Sequence, residues 1–330
     1  MQKATTDVGS LPLADDFGAA QSNFKRAVED KLSLGLNFPC YPQLPGTRES
    51  PMNMFLQFLK PLAEEGSGLS VDGEEIHLEG EIELPVQPIG VERAQYFRDF
   101  ISVNEPADSL IGLKACVTGP FTLASTIDRE DLFTSGVSRI EVIMKLTDLV
   151  STSCSALEAS GFDLINIDEP VLSVLLGDDD RILRKFFGYG EDFVVDCLNR
   201  VLRAARACTG IHVCGIVTPM VKRVLLGSDV DIVDHEFCEI PRNLTAYTKE
   251  ELESRDKLIA LGCVSSIKPF VEDVQTIKHR IEEGLDLFGE NIMIKPDCGL
   301  GGLLGASSAY EISLGKLRNM VQAKIDISKE

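Results

Sequence analysis

The chain has 330 residues, 44% hydrophobic and 25% charged, which is enough apolar material to bury a large core. Its formal net charge of −20 repels phosphate backbones and anionic lipid, which argues against nucleic acid and membranes as partners. No uncharged apolar run suits a membrane span, "MQKATTDVGSLPLADD" has no apolar signal core, and nine scattered cysteines form no disulfide framework, so a reduced, cytoplasmic protein is expected.

Strand-like runs ending in polar or Gly/Pro residues open the chain at 5–10 (TTDVGS) and 36–42 (LNFPCYP). Between 68 and 85, "GLSVDGEEIHLEGEIELP" alternates polar and apolar residues around two turn signals and predicts an inserted β-hairpin. Further strands are expected at 110–120 and 162–170, with an amphipathic helix over 137–160 between them. The second half continues with strands at 210–215, 230–237, 258–264 and 291–299 and with helices over 193–207 and 271–288. Eight strand–helix alternations without a linker predict an α/β fold, a (β/α)8 TIM barrel forming one domain over 1–330.

Active sites of such barrels lie where the strands end. Ser10, Thr118, Asp168, His212, Cys214, Glu236 and Cys298 all fall there. In "IHVCG", His212 and Cys214 stand two apart, so both side chains leave one face of a strand, where they could serve as two zinc ligands. Taken alone, the pair fits a buried histidine and a packed cysteine better. Glu236 in "DHEF" and Cys298 in "KPDCGLGG" change that balance, because one barrel mouth then offers nitrogen, oxygen and two sulfurs. His235 and Cys238 are rival ligands, and strand parity favours Glu236 over His235. In "NIDEP", Asp168 and Glu169 suit an ammonium group or, equally, the cap of a helix. Val8, Gly9 and Ser10 offer backbone N–H groups and a hydroxyl to a carboxylate, although a plain turn explains them as well. "CGLGGLLG" lacks the register of a phosphate loop, and its glycines are expected to let the backbone pass close to the site. His77 and His279 are read as surface residues.

Taken in order, "TTDVGSLP", "TGPFTLAS", "INIDEPVL", "IHVCG", "DHEF" and "KPDCGLGG" resemble the catalytic C-terminal barrel of cobalamin-independent methionine synthases. The resemblance covers the chain from about residue 5 onward. It implies a stand-alone core synthase in which His212, Cys214, Glu236 and Cys298 hold Zn2+. It further implies that Val8, Gly9, Ser10 and Asp168 bind L-homocysteine, with Glu49 as the candidate for a second acidic contact.

Two family features have no match. The chain contains no Trp, so the folate-stacking tryptophan is missing, and Ile267 stands where the family's proton-donating histidine would be. A methyl-folate amine must be protonated to leave, whereas a reduced corrinoid leaves without a proton. The expected function is therefore zinc-dependent homocysteine S-methyltransfer in methionine biosynthesis, with methylcobalamin or a methylated corrinoid protein as donor. The alternatives are a coenzyme M-type thiol methyltransferase fed by a methyl-corrinoid, and a folate-dependent methionine synthase.

Overall fold

A computed structural model describes residues 1–13, 20–44, 59–63, 67–73, 75–104, 108–128, 130–131, 137–177 and 179–329. Glu49 lies outside them. A parallel sheet runs β3 (Lys114–Thr118), β4 (Leu164–Asp168), β5 (Cys208–His212), β6 (Ile232–His235), β7 (Leu258–Val264) and β8 (Ile292–Pro296), each strand bonded to the next. The two N-terminal runs close it. Thr5 bridges Ile294 of β8, Thr6 bridges Phe38, and Cys40 bridges Lys114 of β3, all in parallel. The expected barrel is therefore present, with six full strands and two sparsely bonded segments. Pro39 and Pro42 lie in the second segment and have no N–H to give to a ladder.

The inserted hairpin is shorter than expected. β1 (Leu69–Asp72) pairs antiparallel with β2 (Glu75–Leu78), and Gly73 lies in the turn. The chain then folds back on its base, where the Glu83 N–H donates to the Ser67 carbonyl. His77 is held at Nδ1 by Asp131, 2.8 Å away, which ties the hairpin to the segment after β3.

Helices cover the outside of the barrel because their apolar stripes match the outward residues of the strands. Ser138 and Glu141 form a capping box that starts the helix Arg139–Ala159. Asp273 accepts from the Thr276 N–H and starts Val274–Phe288. Ile165, Ile167, Ile211, Val233, Ile259 and Ile294 face this shell and join the large core. Alternate residues face the barrel axis. At its lower end Ala4, Phe38, Leu164, Ile232, Ala260 and Met293 form a separate apolar plug. One step up each strand, the interior turns polar with Lys114, Asn166, Asp234 and Lys295, all buried. Another step brings Asp168 and His212, which are direct partners across β4 and β5. The sheet thus lifts the polar groups toward the end where the strands stop. Among the described residues, no helix is long and apolar enough to cross a membrane.

Candidate active site

His212 ends β5 and is 2% exposed. Its Nε2 lies 3.1 Å from the Cys214 Sγ, which in turn lies 3.5 Å from the Cys298 Sγ beyond the end of β8. One ligand atom from each of these three residues falls within 4.8 Å of the other two. Zinc bonded at about 2.3 Å to two sulfurs in a tetrahedron would set them about 3.8 Å apart, so this nitrogen and sulfur pair fits such an ion. Glu236, the fourth expected ligand, is not in that cluster. Its Oε2 accepts from the Gly215 N–H at 2.6 Å. Gly215 has φ +82°, a left-handed conformation that lets the chain double back and present that N–H. The rival His235 points out of the barrel, as parity predicted. Its Nδ1 meets the Val213 carbonyl at 3.1 Å, and its Nε2 meets the Tyr247 hydroxyl at 2.9 Å. Cys238 lies apart with Glu239 and Asp297, in a second cluster whose Asp297 carboxylate is occupied by the Phe237, Cys238 and Glu239 N–H groups.

Charge beneath the trio sets its protonation. Asp234 Oδ1 receives the His212 Nδ1 at 2.7 Å and the Lys295 Nζ at 2.7 Å, while Lys114 Nζ is 4.0 Å from Oδ2. β6 is separated from β8 by β7 and from β3 by two strands, so these contacts cross the barrel's interior. Burial presses the His212 imidazole toward neutrality, but the Asp234 carboxylate and the Cys298 sulfur outweigh it and raise its pKa to about 10. Burial also opposes ionisation of Asp234, yet Lys295 and His212 hold it well below the usual carboxylate range. The hydrogen bond shared with Cys214 lowers the Cys298 thiol pKa, with His212 and Lys295 adding to it, and the same bond together with burial raises that of Cys214.

The two acids of "NIDEP" have divided roles. Asp168 faces the interior, takes the Asn166 amide at 2.9 Å, and is pushed up to about 6 by burial against the pull of His212 and Lys114. Its neighbour Glu169 caps the short helix after β3, accepting from the Phe121 and Thr122 N–H groups and the Thr122 hydroxyl. The clamp segment is more tightly built than its sequence suggested. Gly9 has φ +112°, and its N–H goes to the Asp7 carboxylate at 3.0 Å. Asp7 also takes the Cys40 N–H at 2.9 Å and the buried Lys31 ammonium at 2.7 Å. Ser10 is stitched to the Gly-rich turn: its carbonyl accepts from Leu300 and its hydroxyl from Gly301. A Cβ on Gly299 would fall on the Ser10 Oγ, so glycine is needed there for close approach. The close approach at Gly299 is to Ser10, whereas the sequence suggested an approach to the metal site or to a ligand.

Sequence reasoning missed several residues. Asp234, Lys295 and Lys114 were single charges in apolar strands. Asn243 bridges the loops that carry Gly215 and Glu236, donating to both carbonyls at 2.9 and 2.8 Å. Gln43 lies at the end of the second barrel segment with its amide against Gly9. Among the described residues, no donor reaches its buried Oε1.

Comparison with known proteins bears on the family and the fold. The model of the family described as "Cobalamin-independent synthase, Catalytic domain" matches residues 88–325. The methionine synthase of Methanocaldococcus jannaschii is 29% identical over 91% of this chain and 86% of its own length. That of Methanothermobacter marburgensis is 34% identical over 66% of this chain and 63% of its own. Among solved structures, a B12-independent methionine synthase from Shewanella sp. W3-18-1 superposes over 100% of this chain and 98% of its own, with a TM-score of 0.71 at 17% identity. At that identity the likeness concerns the fold alone, and the family model settles membership: this chain belongs to the cobalamin-independent synthase catalytic-domain family.

Proposed function

We propose that this barrel is a core methionine synthase, a homocysteine S-methyltransferase acting as one catalytic unit in the cytoplasm. The observation that carries the reading is the His212, Cys214 and Cys298 trio, set in the same barrel mouth as the buried Asp168 carboxylate. The names of the archaeal relatives support the activity.

In this reading His212, Cys214 and Cys298 would hold Zn2+, with Glu236 as the fourth ligand. The ion, when bound, supplies the Lewis acidity that keeps the acceptor thiol deprotonated near neutral pH, where a free thiol of pKa about 8.5 is mostly protonated. The chain's own residues do the positioning. Asp168 holds the substrate ammonium, the Ser10 end of the Val8–Ser10 turn faces its carboxylate, and Gln43 offers a second acceptor to the amine. A carbon–sulfur bond then forms as the methyl–donor bond breaks. The electron pair leaves with the donor and the thiol proton passes to water.

For the donor we propose methylcobalamin or a methylated corrinoid protein. The family description names a cobalamin-independent synthase, so this part of the proposal departs from the family. It rests on the missing tryptophan and on Ile267, whose side chain is 60% exposed beside Gly302 and can donate no proton. Coenzyme M as acceptor is disfavoured by Asp168, because a sulfonate thiol brings no ammonium to that carboxylate. The test is purified protein with zinc and homocysteine, offered each donor separately. Methionine from methylcobalamin and none from methyl-folate is expected. Comparable turnover with methyl-folate would remove the donor proposal, and no turnover with any donor would remove the activity.

A further inference from the structure

We infer that Lys295 is a positioning residue that locks the histidine and cysteine ligands of the metal centre into one geometry. The inference rests on the metal site proposed above and concerns a residue outside the ligand set.

Lys295 is fully buried in β8. Its ammonium has three protons and three acceptors. One is Asp234 Oδ1 at 2.7 Å, and the others are the carbonyls of Pro296 at 2.9 Å and Asp297 at 2.6 Å. The same Asp234 oxygen receives His212 Nδ1 at 2.7 Å. With Nδ1 directed at Asp234, a neutral ring holding a metal would turn its Nε2 lone pair to the other side, toward Cys214 and Cys298. The two carbonyls belong to the residues immediately before Cys298. One ammonium therefore grips both the carboxylate that aims His212 and the backbone that carries Cys298. These two ligands come from strands that are not neighbours in the sheet. Among the described residues, no other side chain is recorded joining both.

Charge reinforces the assignment. A carboxylate buried as deeply as Asp234 is costly in a low-dielectric interior unless a cation is fixed beside it. Lys295 places a fixed positive charge against Asp234, while Lys114 stays 4.0 Å from the other oxygen. A lysine needed only to fill the barrel would not have to meet Asp234 and the turn before Cys298 together.

The test measures zinc affinity by competition with a chromophoric chelator, together with the cobalt(II) absorption spectrum. The proteins are wild type, Lys295→Met, Asp234→Asn and the double variant, each checked by near-ultraviolet circular dichroism. Folded Lys295→Met should bind zinc roughly 10–100-fold more weakly, as removal of a supporting residue does, and should shift the cobalt bands. The double variant should bind no more weakly than Asp234→Asn alone, because both changes cut one linkage. If Lys295→Met does not fold, the neutral double variant replaces it, since removing both charges avoids an unpaired one. That variant should still lose the 10–100-fold against wild type. Wild-type affinity and spectrum in the folded variant, or losses that simply multiply, would overturn the inference. Failure of the wild type to bind zinc would instead bring down the metal site itself and this inference with it.

Discussion

Lys31→Met tests whether the Val8–Ser10 turn, proposed to face the substrate carboxylate, is held from behind. Lys31 is fully buried, and its ammonium reaches Asp7 at 2.7 Å and the carbonyls of Cys40 at 2.9 Å and Gly9 at 3.2 Å. Methionine matches its length but leaves the Asp7 carboxylate, 3% exposed, without its cation. Breaking a buried pair in this way costs about 3–5 kcal/mol. Changing Asp7→Asn as well removes the unpaired charge but leaves the Gly9 N–H facing an amide, which costs about 1–3 kcal/mol. The double variant should therefore be more stable than the single one. Urea unfolding with an unchanged slope reads both values. In folded protein the KM for homocysteine should rise in both, with kcat less affected, because the turn loses its support while the metal ligands stay in place. A loss below about 1 kcal/mol in Lys31→Met, or a double variant less stable than the single, would refute the account of the clamp.

Three other outcomes follow from the geometry. Cys298→Ser should weaken zinc binding by more than the roughly 10–100-fold that a supporting residue contributes, measured by chelator competition. Binding at wild-type strength would show that Cys298 is not a ligand. Gln43→Leu should raise the homocysteine KM while leaving zinc affinity alone, and an unchanged KM would remove Gln43 from the amine contact. His235 sets an acid limit on stability. Burial lowers its pKa to about 4, against about 6.5 unfolded, so above pH 6.5 the ring is neutral in both states and its contribution is complete. As pH falls from 6.5 to 4, only the unfolded chain takes up the proton, and about 3 kcal/mol is lost. Urea midpoints across that window should fall less steeply in His235→Gln, and an identical slope would count against the assignment.

The barrel was legible because its strands are bounded by turn residues and separated by helical periodicity. The limits of strands such as Leu258–Val264 match the expected 258–264. The second segment reads as a strand by its apolar pattern, but it is only sparsely bridged, since Pro39 and Pro42 remove ladder donors. The pairing of His212 with Cys214 was legible from parity, because residues two apart on a strand share a face, and Cys298 from its place at the end of the last strand. The groups beneath them were not, because their partners sit across the barrel rather than along the chain. A lone lysine in "IMIKP" looks like any charge in a sequence, and its meaning appears only when β6 and β8 are brought face to face. The one available signal was chemical: parallel strands buried on both sides read as nearly continuous apolar runs, so a charge inside one requires a buried partner. Lys31 gave no such signal, since a basic residue in the last turn of a helix is ordinary.

The bonds between Ser10 and residues 300 and 301 join positions about as far apart in the chain as this fold allows. During synthesis at about 5–20 residues per second, His212 and Cys214 emerge well before Cys298, and the N-terminal segment waits for β8 throughout. Any cation met at the proposed centre in that interval would lack the last sulfur. At the proposed metal centre, selectivity for the ion would then depend on timing as well as on ligand chemistry, decided when the ends of the chain meet and the last sulfur arrives.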